Sequence, residues 1–550
     1  MGKNLIIGMG GTGAKIVESF VHLCGAGLGP DDCAVAFVDQ DMANGNTSRA
    51  RTALGLYMEA RQALRDPNLG VRLDGDTDLL RTRLVPHGVA NYDEAKGSDR
   101  TQLQSTQWTP HVDAKTLGEL IDYQSLRGNH RHLADLFFAN DAEELQMNLD
   151  AGYRGRPHIG SAALLAQMRK DTQADGSQQT RAAANWMTAL DEIIADGNKG
   201  PVRIFLCGSA FGGTGAATLP TLARDIAEKA KNLPDVAVSA VLMLPYFDFT
   251  APSEGQESNV AQSPYLRQQT KAALDYYKRL LDAEGIFKRV YLLGWDPLFP
   301  LGYHEKGQQN QINPPLVPEF YAALAASHAL HDDVTDRHAN SVVSIGRDSA
   351  KEVTWNDLPT EVADRNLQLA FGQMLRFSAL WHFAYRNDIP KERDRGFMGV
   401  GAESWYKEHF GRAFRKDTDA PLALKKVDDY IAAFLEYCAL IAARSQSPGG
   451  REGFKLWNHH PIGNVDIEGD PRAGVSFASH LNDRPSELKA LVGRMKDQNE
   501  PPGYKQVHER LTNYRSDKGK DGRSTQGVVP FIEALWAVST MQEATEGPET

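Results

Sequence analysis

The segment that decides the fold is Asn4–Cys24, NLIIGMGGTGAKIVESFVHLC, in which a short apolar run meets the glycine cluster Gly8–Gly13. Apolar side chains then recur at helical spacing from Ile16 to Leu23. This pattern predicts a strand, a tight loop and a helix. Backbone amides and the positive end of the helix can face a phosphate there, and the missing Cβ atoms allow close approach.

A second buried strand is predicted at Ala34–Val38, and it ends at Asp39 and Asp41. The two strands and the helix form a βαβ unit with a right-handed crossover, which places both aspartates at the ligand-binding edge of a parallel sheet. The glycines also satisfy G-x-G-x-x-G, with Asp39 placed to bind a ribose, so a Rossmann-type NAD(P) or FAD oxidoreductase is one alternative. Glycines kept only for a tight turn and close helix packing are another.

A second glycine loop changes this balance. A strand predicted at Val202–Cys207 runs into Phe211–Ala217, FGGTGAA, and a helix follows at Leu219–Lys231. Two such loops in one sheet favour a polyphosphate held from both sides. The sequence contains no G-x-x-x-x-G-K-[ST] motif, which disfavours a P-loop NTPase.

The alternation of strands and helices continues to about Pro359 and predicts an α/β fold, an open and mostly parallel sheet flanked by helices. Polar residues 44–149 read as an insertion within a first domain, 1–358. Beyond it, Leu367–Phe383 and Val427–Ala443 are strongly helical, so residues 359–550 are predicted to form a helix-rich C-terminal domain. The further predicted elements are strands at Val236–Leu244 and Arg289–Leu293 and helices at Ala182–Ala195, Leu266–Leu281 and Leu316–Leu330.

Composition narrows the function. The formal net charge of −11 argues against non-specific binding to nucleic acid or to an anionic membrane surface. The four cysteines form no CxxC pair, so neither a disulfide framework nor a zinc site is expected, and a reducing cytoplasm fits best. No stretch is apolar for long enough to predict a transmembrane segment.

The motifs, taken in order, resemble the tubulin/FtsZ superfamily and identify the chain as a suspected bacterial tubulin-like protein. GGTGAATLP, with the strand RIFLCG before it and VSAVLMLPYFDF after it, looks like the family's signature loop. GMGGTGA resembles the first glycine loop, and FVDQDMA resembles the segment after the second strand. GYRGRPHIG resembles the third phosphate loop, and NPPLVPEFYAALAA resembles the start of the central helix. A tubulin/FtsZ-like Rossmann-type sheet is therefore expected.

The resemblance implies GTP/GDP and Mg²⁺ as cofactors. Thr12, Thr214 and Asp41 would help to hold the ion through oxygen atoms. Asn310 or Asn313 would read the base, although a helix N-cap is an equally good interpretation of either. Arg156 would fork onto phosphate oxygens or simply face solvent. The candidate binding residues are Gly10, Gly11, Thr12, Gly13, Asp39, Asp41, Gly155, Arg156, Gly212, Gly213, Thr214, Gly215, Asn310 and Asn313.

The family completes hydrolysis between subunits, with acidic residues that follow the central helix. Asp333 and Asp336 are the first candidates for catalytic acids, and Asp357 is the rival. Carboxylates can orient or deprotonate water, but acids just past a helix end are also common as solvated loop residues. The resemblance thus implies a GTPase that self-assembles into filaments or oligomers, and other proteins could bind through the C-terminal domain.

Three positions depart from the family pattern. Phe211 and Ala217 replace the outer glycines of the signature loop, and Trp295 stands near the position at which the family pattern has an asparagine. Each added Cβ removes room that glycine leaves open, and an indole cannot copy an amide's paired hydrogen bonds. The main alternative is therefore a non-hydrolysing nucleotide-binding scaffold or regulator, for example in a bacterial defence or membrane-associated system.

Overall fold

The structure is a computed structural model of the chain. It describes residues 2–66, 72–73, 75–89, 92–94, 100–110, 116–141, 144–150, 152–153, 155–171, 178–248, 263–301, 312–332, 340–347, 352–358, 365–397, 401–410, 420–446, 453–466, 474–479, 485–495, 498–514 and 526–542.

A parallel sheet of eight strands forms the centre of the molecule. Its strands are β1 (Lys3–Met9), β2 (Asp32–Val38), β3 (Arg83–Pro86), β4 (Gln107–Trp108), β5 (Val202–Ser209), β6 (Val236–Met243), β8 (Arg289–Trp295) and β10 (Ser341–Arg347). The order is β10-β8-β6-β5-β1-β2-β3. Strand β3 pairs with the amino-terminal part of β2, and β4 pairs with its carboxyl end. Two small two-stranded sheets pair β7 (Phe247–Asp248) with β9 (Phe299–Pro300) and β11 (Gly463–Val465) with β12 (Val475–Phe477).

Helices surround this sheet and build the C-terminal region. Those of the first part are α1 (Gly10–Gly25), α2 (Gly45–Arg65), α3 (Arg100–Ser105), α4 (Leu117–Leu120), α5 (Gly128–Phe137), α6 (Pro157–Asp171), α7 (Gln178–Ala195), α8 (Thr214–Lys229), α9 (Ser263–Glu284) and α10 (Val317–His331). Those of the C-terminal region are α11 (Arg365–Leu380), which continues into a π-helical turn at Trp381–Tyr385, α12 (Asp388–Phe397), α13 (Ser404–His409), α14 (Ala420–Arg444), α15 (Pro485–Ala490), α16 (Tyr504–Asn513) and α17 (Val528–Val538).

The two faces of the sheet are covered by different helices. Strand β6, VAVSAVLM, is buried at every position, as expected where both faces of a parallel strand are covered. Ile6 faces a core that contains α1, α2 and α10. Its neighbours Leu5 and Ile7 face a second core with α7, α8 and α9, because alternate side chains of a strand point to opposite faces. The predicted α/β class, with a mostly parallel sheet flanked by helices, is confirmed.

The C-terminal region is helical, as predicted. Helix α14 packs against α1 and α2, and the apolar core that lies beneath α1 and α10 continues into α11, α14 and α17. The predicted boundary between 358 and 359 borders residues 359–364, which lie outside the described part of the chain.

Two features differ from the sequence prediction. Part of the segment 44–149, read as an insertion, supplies α2 and the strands β3 and β4 of the central sheet. These strands have only four and two residues, too few to display a period. Edge strand β10 was not predicted either. Within the described residues, no helix is both long and apolar enough to cross a membrane.

Candidate functional site

Strands β1 and β5 are neighbours, and the chain reverses its direction of travel through the sheet between them. From β1 the order runs to β2 on one side, whereas β5 leads to β6 on the other. Such a switch point leaves a crevice at the carboxyl ends of the strands, where open α/β sheets bind their ligands. Both glycine loops follow these two strands, so the topology brings them to the same crevice.

The first glycine loop is the first turn of α1. The helix begins at Gly10, within the predicted loop, and Met9 at its N-cap gives no side-chain hydrogen bond. The first amides of a helix have no intrahelical acceptor, so this turn offers donors to the crevice. Gly13 is required by close packing, because a Cβ there would overlap the carbonyl oxygen of Cys207 on β5.

The second glycine loop meets the first one directly. A Cβ on Gly10 would lie 3.3 Å from the amide nitrogen of Gly215, and a Cβ on Gly215 would lie 3.1 Å from the Met9 carbonyl oxygen. Helix α8 begins at Thr214, and its N-cap residue, Gly213, makes no side-chain hydrogen bond. Two helix N-termini without side-chain caps therefore lie side by side at the carboxyl ends of β1 and β5. We call Gly8–Gly13 and Gly212–Gly215 the glycine wall.

The third loop closes the end of the glycine wall. A Cβ on Gly213 would lie 2.9 Å from Tyr153 Cβ and 3.1 Å from the amide nitrogen of Gly155, and the Thr214 hydroxyl is near Gly152. Tyr153 is buried, and Arg156 begins the turn into α6, with its amide donating to the Tyr153 carbonyl oxygen at 2.8 Å. The structure thus joins the predicted residue Gly155 to the second loop through backbone packing.

Asp39 and Asp41 are buried at the carboxyl end of β2. The Thr47 hydroxyl donates to Asp39 Oδ2 at 3.0 Å, and the Asp41 amide donates to Asp39 Oδ1 at 3.2 Å. Burial, and secondarily the charge of Asp41, raises the pKa of Asp39 to about 7. Asp41 itself accepts from the amide of Ala43 at 3.0 Å, so it caps the loop that follows β2.

Asn313 lies beside the first turn of α2. Its amide donates to Asn46 Oδ1 at 2.9 Å, and its carbonyl oxygen accepts from Arg49 at 2.8 Å. Asn44 caps α2 by accepting from the Asn46 amide. The Asn44 and Asn46 side chains approach Gly11, since a Cβ there would lie within 3.2 Å of both. We call Asp39, Asn44, Asn46 and Asn313 the polar wall.

The side-chain oxygen of Asn313 is a buried hydrogen-bond acceptor in the polar wall. Asn313 is 8% exposed, and its Oδ1 has no hydrogen-bond partner among the described residues. A buried carbonyl without a partner costs free energy, which a bound donor would recover. The N-cap interpretation is wrong for Asn313, because Leu316 is the N-cap residue of α10. Asn310 lies outside the described residues.

A buried ion pair joins α1 to α10. Lys15 of α1 pairs with Glu319 of α10, and both are almost inaccessible to solvent. Tyr246 donates to Glu319 Oε1 at 2.5 Å, and the Leu316 amide donates to Oε2 at 2.6 Å. Tyr246 also lies within hydrogen-bonding reach of Thr12. Burial lowers the pKa of Lys15, although Glu319 opposes this shift.

The three residues that depart from the family pattern are packed against other side chains or helices. Phe211 packs edge-on against Phe247, with 5.4 Å between ring centroids. Ala217 of α8 contacts Gly160 of α6, and Trp295 packs against core aromatic rings. Their described contacts give these side chains a packing role; the expectations about room for phosphate and about guanine recognition stay predictions.

The candidate acids are not assembled at the glycine wall by the described contacts. Asp333 and Asp336 lie outside the described residues. Asp357 accepts from the Thr354 amide and hydroxyl, each at 2.7 Å, and so caps its own short 3₁₀ turn. Within the described ranges, no group of three or more His, Cys, Asp or Glu side chains is arranged to hold a metal.

Sequence reasoning missed Asn44, Asn46 and Arg49 of the site. The signal was present in ANGNTS, because an Asn that precedes a helix is a typical N-cap. Neither the sequence nor the fold has a significant match among family models, curated proteins or solved structures.

Proposed function

We propose that this chain binds a guanine nucleotide with Mg²⁺ between the glycine wall and the polar wall, and that it is a tubulin/FtsZ-like GTPase that self-assembles. The observation that carries the proposal is the contact between Gly10 and Gly215, which aims two uncapped helix N-termini at one crevice. Backbone amides and helix dipoles at such a point favour a polyphosphate.

The residues of the crevice fit the parts of such a ligand. The amides of the two loops would bind the phosphates, and the Thr12 and Thr214 hydroxyls with Asp41 would hold Mg²⁺ directly or through water. The unpartnered Oδ1 of Asn313 would accept a hydrogen bond from an N–H on the base edge. Bound Mg²⁺ would neutralise charge on the phosphates; the chain's own groups orient them.

Hydrolysis and assembly are the parts of the proposal that rest on the resemblance. They are supported by the order of five motifs, from GMGGTGA to NPPLVPEFYAALAA. Asp333 and Asp336 remain the proposed acids that reach a neighbouring subunit. Assembly would take place in the cytoplasm, with the helical C-terminal region free to bind other proteins.

One observation favours the second candidate, a nucleotide-binding scaffold without turnover. The carboxylate of Asp357, the rival acid, is engaged in capping its own turn. In that case the bound nucleotide would stabilise the fold and the surfaces that bind partner proteins, and it would not be hydrolysed.

Phosphate release measured against protein concentration separates these candidates. Purified protein is incubated with radiolabelled GTP and Mg²⁺, and light scattering is followed in parallel. Release that rises more steeply than linearly, together with scattering, supports a site completed between subunits. Stable GTP binding with neither release nor scattering supports the scaffold and contradicts the GTPase.

A further inference from the structure

A recess lies at the amino-terminal edge of the sheet, opposite the glycine wall. It is small and opens to solvent. Its polar lining comes from Arg203 at the start of β5, Ser239 of β6, Lys288 before β8 and Asp332 after α10. The side chains of Ser239 and Lys288 reach the recess from positions that are otherwise buried.

The donors of this recess are only partly used within the described residues. The Arg203 guanidinium donates through Nε to the Asp332 carbonyl oxygen at 2.6 Å, and its two terminal nitrogens have no acceptor there. Ser239 is 7% exposed, and its hydroxyl has no partner in the described part of the chain. The Ser239 hydroxyl and the terminal nitrogens of Arg203 are therefore available to an acceptor that enters the recess.

Charge favours an anion at this position. Lys288 lies 3.3 Å and Arg289 lies 2.8 Å from Asp332 Oδ2, while Arg203 contacts the Asp332 main chain, so three cations lie around one acidic residue. A guanidinium fork, an ammonium and a hydroxyl together match the acceptor oxygens of a tetrahedral oxyanion.

We propose that Arg203, Lys288 and Ser239 form a second anion site, which binds phosphate or a phosphoryl group. The site goes beyond the proposed nucleotide pocket and is distant from it. Strand β5 separates Arg203 from Ser209 at the second glycine loop by roughly 20 Å, from a rise of about 3.3 Å per residue. A nucleotide in the crevice of the same molecule cannot span that distance. The phosphoryl group is therefore either free phosphate or part of a nucleotide held by another copy.

Calorimetric titration of the full chain with inorganic phosphate at constant ionic strength tests the site. Saturable binding is expected. Arg203→Gln should weaken it roughly ten- to hundredfold, and Ser239→Ala roughly two- to tenfold, because one charge-assisted or one neutral hydrogen bond is lost. Ser239→Ala removes a hydroxyl that makes no hydrogen bond, so the fold should tolerate it. Lys231→Ala, which removes an exposed cation elsewhere, should leave the affinity unchanged.

Gly212→Val distinguishes this site from the glycine wall. Phosphate binding that persists in Gly212→Val and weakens in Arg203→Gln supports the second site. Binding that is lost in Gly212→Val and unchanged in Arg203→Gln places phosphate at the glycine wall and overturns the proposal, as does the absence of saturable binding. Neither result decides whether GTP binds the crevice.

A second arm distinguishes the source of the phosphoryl group. If the site meets the nucleotide of another copy, Arg203→Gln should reduce GTP-dependent light scattering while GTP affinity in dilute solution stays unchanged. If it takes free phosphate, scattering should match that of the unsubstituted protein although phosphate affinity falls.

Discussion

The two walls of the crevice are built from different materials. The glycine wall presents backbone amides, and its packing requires the absence of Cβ atoms: a Cβ on Gly13 would meet strand β5, and one on Gly213 would meet the third loop. The polar wall presents side chains held by hydrogen bonds, as where Asn46 Oδ1 accepts from the backbone amide of Asn313. The first wall is therefore sensitive to added atoms, and the second to removed ones.

The largest effect is expected at the buried ion pair between Lys15 and Glu319. Glu319→Ala would leave the Lys15 ammonium buried without its counterion and should lower the free energy of unfolding by about 3–5 kcal/mol. The double change Lys15→Met with Glu319→Leu removes both charges and should cost much less. Urea unfolding measures both, and equal losses would show that the ion pair is not what holds α1 to α10.

Adding one carbon to the glycine wall is expected to rank next. Gly13→Ala should lower the free energy of unfolding by up to about 3 kcal/mol, because its Cβ meets the Cys207 carbonyl oxygen on β5. Gly200→Ala is the matched control, since a Cβ there meets no atom, and it should change stability by no more than about 0.5 kcal/mol. Similar losses in the two variants would contradict close contact between α1 and β5.

The pH dependence of stability reports on Asp39. The pKa of Asp39 is about 7 in the folded protein and about 3.9 in the unfolded chain. Between these two pH values the folded protein therefore keeps a proton that the unfolded chain releases. This contribution is fully present below pH 3.9 and is lost as pH rises through 7. Relative to Asp39→Asn, the unsubstituted protein should lose of the order of 2 kcal/mol between pH 5 and pH 8.

Urea unfolding at several pH values measures this difference. Asp122→Asn, which changes an exposed carboxylate, is the control and should show no comparable trend. A constant difference between the unsubstituted protein and Asp39→Asn would mean that Asp39 is not buried as a neutral acid.

The smallest effect is expected at Asn313 of the polar wall. Asn313→Ala should weaken GTP binding about tenfold, the value of roughly one hydrogen bond, while the stability of the ligand-free protein stays within about 0.5 kcal/mol. Stability is spared because Oδ1 has no partner among the described residues. Isothermal titration calorimetry gives the affinity, with exposed Asn198→Ala as the control. Unchanged affinity in Asn313→Ala would remove this residue from the ligand site.

The glycine wall could be predicted from the sequence because its information is local. A strand, a glycine cluster and a helix follow one another within Asn4–Cys24, and again from Val202 to Lys231. That the loops touch depends on the adjacency of β1 and β5, which the alternation of strands and helices does not specify and which only the structure supplies.

The polar wall could be predicted only in part because its contacts join distant residues. Asn46 and Asn313 meet although they are 267 residues apart in the sequence, and the local sequence around one gives no signal of the other. The Lys15 and Glu319 charges sit in apolar helical patterns, where each alone would be read as an exposed interruption. Short strands such as β4, with two residues, also lack a detectable period.

Separate titrations with three nucleotides test the central claim, that one nucleoside triphosphate binds between the glycine wall and the polar wall. GTP, ATP and NAD are each titrated into the full chain with Mg²⁺, and the titrations are repeated with Gly212→Val and Thr214→Ala. We predict saturable GTP binding that both substitutions weaken. Tight NAD binding without GTP or ATP binding, or GTP affinity that is unchanged in both variants, would contradict the account.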